Sequence, residues 1–120
     1  MNKKTVVLGA SPNPSRYSYL AVNRLNAHGH QVIPIGKRKG KISDSEIITA
    51  PVQTDNVDTV TLYLNAQNQK NYYDYILGLH PKRIIFNPGA ENDELAALAV
   101  KNNIKPIQAC TLVLLSTNQY

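Results

Sequence analysis

Three observations predict an α/β fold with a doubly wound, mainly parallel five-stranded sheet flanked by helices. Short runs rich in β-branched residues alternate with segments of helical period. The first four runs end in loops carrying glycine or asparagine. No internal repeat, low-complexity tract or linker divides the chain. Each crossover must bury its apolar stripe on the sheet, which favours parallel strands with helices packed against them.

The first strand is Thr5-Val6-Val7-Leu8, followed by a turn of small residues from Gly9 to Arg16. A helix is expected from about Ser18 to Ala27, with Leu20, Ala21, Val22 and Leu25 as its apolar face and His28-Gly29-His30 as a glycine stop. The second strand is Gln31 to Ile35, and a basic run of Lys37, Arg38, Lys39 and Lys41 follows it around Gly40. The third strand spans Thr59 to Leu64. A second helix is expected over about Asn68 to Leu79, where Tyr72, Tyr75, Ile76 and Leu79 fall at i, i+3, i+4 and i+7. Arg83 to Asn87 is the fourth strand. Asn92 reads as the N-cap of a third helix over about Asp93 to Lys101, with Asp93 and Glu94 complementing its dipole. Lys105 to Gln108 is a short fifth strand.

The 120 residues, 42% apolar, are expected to form one domain over 1–120, with no separate catalytic domain. Met1-Asn2-Lys3-Lys4 leads straight into a strand, without a signal-peptide core or the ~20 apolar residues of a membrane span, so a cytoplasmic protein is expected. The single cysteine, Cys110, excludes an internal disulfide framework and suits a reducing compartment. No metal site is proposed. His28 and His30 have no third ligand nearby and read as helix-end residues, and His80, before Pro81, reads as structural.

In doubly wound sheets a ligand lies beyond the C-terminal ends of the strands, where strand order reverses. The candidate cofactor contacts are Gly9, Ala10, Ser11, Asn13, Pro14 and Arg16 from the first loop, and Ile35, Gly36, Lys37 and Arg38 from the second. Tyr63 and Leu64 from the third and Asn87, Pro88, Gly89 and Glu91 from the fourth complete them. Gly9 lets backbone approach a ligand, helix-start N–H groups offer donors to phosphate, and Arg16 adds fixed positive charge. A carboxylate after the second strand would select the ribose hydroxyls of NAD. Lys37 and Arg38 stand there instead, suiting a nucleotide whose ribose carries a phosphate, which NADP and coenzyme A share.

The stretches Gly9 to Tyr19, Gly29 to Ile35, Asn87 to Asn92 and the late Cys110 resemble the small, single-domain coenzyme A-binding proteins, similar to the N-terminal domain of the succinyl-CoA synthetase alpha subunit. With the strand spacing they cover almost the whole chain. The resemblance implies a Rossmann-like domain whose first loop and second-strand end hold the phosphates and adenosine of CoA or an acyl-CoA. It implies no catalytic residues. Family members commonly carry an Asn-Pro pair soon after the second strand, where this chain has Gly36-Lys37.

The expected function is therefore CoA or acyl-CoA binding without catalysis, as a sensor or as a subunit whose protein partner supplies the chemistry. An NADP-binding reductase is the alternative, but Ser11 replaces the second glycine of G-x-G-x-x-G and no hydride-transfer constellation stands out. Nucleic-acid binding rests on the basic run alone, and Tyr72 and Tyr75 read as core or interface rather than a basic-aromatic surface. Cys110 reads as a small core hydrophobe or, near bound CoA, as a thiol able to form a mixed disulfide.

Overall fold

The computed structural model describes residues 2–120. Its elements in chain order are β1 (Thr5–Leu8), α1 (Tyr17–Ala27), β2 (Val32–Ile35), β3 (Lys41–Ile42), β4 (Ser45–Glu46), β5 (Thr59–Leu62), α2 (Ala66–Gln69), a 3-10 turn (Lys70–Tyr72), α3 (Tyr73–Gly78), β6 (Arg83–Phe86), α4 (Asp93–Lys101), β7 (Lys105–Gln108) and α5 (Thr111–Ser116).

Five strands form one sheet in the order β2-β1-β5-β6-β7, every pair parallel. From β1 the chain first moves outward to β2 and then returns to add β5 on the other side. Strand order thus reverses between β1 and β5, leaving a crevice beyond their C-terminal ends. Pro34 and Pro106 sit in the two edge strands, where a missing N–H breaks no central ladder.

Side-chain alternation divides the core into two layers. Val6, Leu8, Val60, Leu62, Ile84 and Phe86 face one way and pack with Ile76 of α3 and Leu95 and Ala99 of α4. Val7 faces the other way, onto Val22 and Leu25 of α1 and Leu115 of α5. Burying a side chain of this size contributes about 1.5–3 kcal/mol, so each helix is held by the layer beneath it.

The expected five strands and three helical regions are present, with three differences. The second helical region is two short helices, α2 and α3, because Tyr72 leaves helical geometry at φ −108° and ψ 2°. It also begins earlier than expected: Asn65 caps it, its side chain accepting from the Asn68 N–H at 2.9 Å. From Lys41, the last residue of the basic run, the chain forms the β3–β4 hairpin and returns beside β2 through Ile48, which exchanges backbone bonds with Pro34 and Gly36. Ile42 and Ile47 are buried by this return. Finally, α5 follows β7 and packs beside α1.

Local stops behave as their residues suggest. His28 is the C-cap of α1, and the N–H groups of Gly29 and His30 donate back to Asn26 and Leu25, a Schellman closure. Asn103 closes α4 in the same way at φ 60°. His80 takes the corresponding place after α3, at φ 48°.

Candidate functional site

Crevice walls come from the loops after β1, β2, β5 and β6 and the start of α1, enclosing about 660 Å³. Two glycines allow the loops to approach. Gly9 sits at φ +94°, and a Cβ there would lie 2.9 Å from the Tyr63 carbonyl group. At Gly36 a Cβ would lie 2.0 Å from the Ala10 carbonyl oxygen. The Ile35 carbonyl accepts from both Gly9 and Ala10 N–H, at 2.9 Å each, tying the first loop to the end of β2.

The first loop then shapes itself through Asn13, whose Oδ1 accepts from the Ser15 N–H and hydroxyl. Its carbonyl accepts from the Arg16 N–H, delivering the chain to α1. Arg16 is the N-cap, yet its side chain makes no capping bond. Among the described residues, the N–H groups of Tyr17 and Ser18 at the start of α1 have no internal acceptor. Two orphan donors, the positive end of a helix and the nearby Arg16 suit an anion. Lys37 and Arg38 are exposed and also line the crevice; no carboxylate pairs with either or with Arg16 among the described residues. The opposite wall carries no cation: it is built from Tyr63, Leu64, Asn65, Asn68, Tyr72, Pro88, Gly89 and Ala90.

Of the sequence-predicted site residues, Gly9, Ala10, Ser11, Asn13, Arg16, Gly36, Lys37, Arg38, Tyr63, Leu64, Pro88 and Gly89 are brought onto this one crevice. Four are not. The Ile35 side chain is 1% exposed and belongs to the core, leaving only its carbonyl to organise the first loop. Pro14 is exposed and does not line the crevice. Glu91 folds back so that its Oε1 accepts from the Gly89 N–H at 2.9 Å, capping its own turn. Asn87 is buried and fully occupied. Its Nδ2 donates to Thr61 Oγ1 and the Leu62 carbonyl, and its Oδ1 accepts from the Thr111 N–H. It joins β5, β6 and α5 beneath the crevice, its donors and its acceptor matched as burial requires.

Matching the chain against protein families finds the CoA binding domain over residues 3–116. The chain belongs to this CoA-binding domain family. A crystal structure of an uncharacterized protein is 51% identical over 100% of this chain and 99% of its own, with a TM-score of 0.97. A hypothetical protein from Pyrococcus horikoshii is 20% identical, TM-score 0.84, covering 92% of this chain and 80% of that one. The dinucleotide-forming acetyl-coenzyme A synthetase 1 of Ca. Korarchaeum cryptofilum, solved with phosphate and ADP, is 18% identical, TM-score 0.72. That match covers 89% of this chain and 26% of the synthetase. At these lower identities the likeness is one of fold, a Rossmann-like α/β sheet. No curated protein matches the chain.

Tested against what a CoA-binding domain must hold, the residues fit: unpartnered amides and cations for phosphate, a close loop approach at Gly36 that a Cβ would block, and a neutral wall for an uncharged arm. Sequence reasoning missed Pro12, Ser15, Tyr17, Ser18, Asn65, Asn68, Tyr72 and Ala90 on the walls. The first four lay within reach of the loop-to-helix signal. The others arrive from α2, the 3-10 turn and the end of the fourth loop, whose approach is a tertiary matter. Tyr72 and Tyr75 are half-buried against the core, as expected, and Tyr75 donates to the Val52 carbonyl at 2.7 Å. Cys110 is half-buried rather than fully enclosed, at the N-cap position of α5, and does not line the crevice. Burial pushes the Tyr63 phenol well above its usual value, with Cys110 adding to the shift. Its buried hydroxyl has no hydrogen-bond partner among the described residues, so Tyr63 is an uncharged part of the neutral wall.

Among the described residues no helix is long and apolar enough to cross a membrane.

Proposed function

We propose that the crevice binds coenzyme A or an acyl-CoA, and that the domain does so without turnover of its own. The observation that carries this reading is the convergence of the unpartnered start of α1 and Arg16 with Lys37 and Arg38 on one side of a crevice whose other side is neutral. The first group suits the diphosphate, Lys37 and Arg38 suit the phosphate on the ribose, and the neutral wall suits the pantetheine arm. Membership of the CoA-binding domain family supports the same ligand. Turnover needs a reactive group, a proton-transfer partner and charge stabilisation around one reacting atom. The crevice walls offer glycine, proline, asparagine, serine, tyrosine and cations, which hold an anionic ligand. A partner protein in the cytoplasm then supplies the chemistry for the bound thioester.

Competition binding at fixed ionic strength tests the reading. CoA should bind better than dephospho-CoA, and NAD poorly. Equal affinity for CoA and dephospho-CoA removes the basic loop from the site, and a strong preference for NADP replaces the ligand. Native mass spectrometry of the purified protein should show a co-purified mass matching CoA or an acyl-CoA. Robust turnover of acyl-CoA substrates, lost in Cys110→Ser, would overturn the non-catalytic part.

A further inference from the structure

Beneath the neutral wall lies a fully buried polar side chain that no surface signal announces. Gln69, at the last turn of α2, is 0% exposed. Its Nε2 donates to two carbonyls, Leu64 at 2.8 Å and Ala90 at 2.7 Å. Leu64 follows β5, Ala90 follows β6, and both line the crevice. The Gln69 Oε1 in turn accepts from Asn92 Nδ2 at 2.8 Å. Asn92 is itself fixed, because its Oδ1 caps α4 at Leu95 and its Nδ2 also donates to the Tyr73 hydroxyl. One amide therefore clamps two loops that have no ladder between them at this point. Its own orientation is set from behind. Both of its N–H donors and its carbonyl oxygen are engaged, in a place where an unmet polar group is costly.

We infer that Gln69 is a positioning residue, setting the separation of the Leu64 and Ala90 loops and so fixing how the crevice holds the uncharged pantetheine arm rather than the nucleotide. This rests on the reading of the crevice as a CoA site. The selectivity follows from placement: Gln69 bonds only to the neutral wall and its support, whereas Arg16, Lys37 and Arg38 stand on loops tied to each other through Ile35 and Gly36. Preorganised walls raise affinity by avoiding the cost of ordering them on binding. Loosening one wall should then weaken only the part of the ligand that touches it.

The test compares CoA with adenosine 3′,5′-bisphosphate, which lacks the pantetheine arm and the phosphate that carries it; the ratio of the two affinities is compared between wild type and variant, so the missing phosphate cancels. Gln69→Met keeps the length and apolar volume but has no donor for either carbonyl. It should weaken CoA roughly tenfold while leaving the bisphosphate within about twofold. A loss shared equally by both ligands marks a merely structural residue and overturns the inference, as does no loss at all. Should Gln69→Met fail to fold, Gln69→Asn keeps the amide but is one methylene too short to span both carbonyls. The same change in the ratio of affinities is expected of it, and an unchanged ratio overturns the role. Amide hydrogen exchange in the ligand-free protein separates this inference from the functional one. Either variant should speed exchange at Asn68, whose N–H donates to Asn65, and at Ala90, whose N–H donates to the Asn87 carbonyl, and unchanged exchange there overturns the clamp. Wild-type protein that binds neither ligand overturns the CoA reading and leaves the exchange result to judge the clamp.

Discussion

At the N-terminal ends of the three central strands, β1, β5 and β6, the cations are engaged within the chain. Lys3 and Arg83 both donate to the Tyr120 carbonyl, Arg83 also donates to Thr59 Oγ1 at 2.8 Å, and its guanidinium lies 4.4 Å from the Tyr120 ring centre. Lys4 donates to the Asp55 carbonyl, and Asp58 lies 3.9 Å from both Lys82 and Arg83. At the C-terminal ends Arg16, Lys37 and Arg38 face the crevice with no carboxylate partner among the described residues. Both ends are basic, so net charge does not tell them apart. What distinguishes them is whether the charge is already spent on closing the fold or left for a ligand.

The contrast breaks most completely at Gly36. Gly36→Ala drives a Cβ into the Ala10 carbonyl, 2.0 Å away, so the first loop must shift. We expect a stability loss of about 2–4 kcal/mol in urea unfolding together with loss of CoA binding. Next comes the joint variant Lys37→Ala, Arg38→Ala, which should weaken CoA roughly a hundredfold with an unchanged melting temperature. Added salt should weaken CoA binding to the wild type more steeply than to this variant, since screening acts on the charges removed. Isothermal titration at two salt concentrations checks both statements.

Arg16→Ala should cost about 1–3 kcal/mol of CoA affinity by loss of a charge-assisted phosphate contact. An unchanged affinity in calorimetric titration removes Arg16 from the site. At the opposite end, Arg83→Ala should lower stability by about 1–2 kcal/mol through the lost bonds to Thr59 and Tyr120, and leave CoA affinity alone. A change in affinity with that variant would show that the two ends are coupled.

The smallest effect concerns pH. Burial, then the neighbouring positive groups, hold His30 below its usual 6.5, and its Nδ1 accepts from the Lys3 N–H, which needs the neutral ring. The unfolded chain therefore binds the proton more readily. Stability should be complete above about pH 6.5 and fall as pH drops from there towards the lowered folded value. Melting temperatures across the range from neutral to mildly acidic pH should show a modest decline that His30→Gln flattens.

Much of this was legible in local sequence because it depends on local chemistry. Val6-Val7-Leu8 and Ile84-Ile85-Phe86, β-branched and followed by glycine or Asn-Pro-Gly turns, read as buried strands, Gly29 and Asn92 mark helix ends, and parallel strands place Gly9, Gly36, Leu64 and Gly89 at one edge. Those four loops do meet. Tertiary structure decided how the residues between them are used. Asn87 and Glu91 read as ligand contacts from their position beside Pro88-Gly89, but Asn87 is taken by partners 24 to 26 residues away and Glu91 by its own turn. Gln69 reads as one polar helix residue among several, and becomes a clamp because carbonyls five residues before it and 21 after it converge on its amide. The β3–β4 hairpin and α5 carry no strong period and form against β2 and α1. Local preference names the residues that can end a strand or start a helix. Which polar group is consumed inside the fold and which is left for a ligand depends on bonds between distant segments, and those exist only once the sheet has closed.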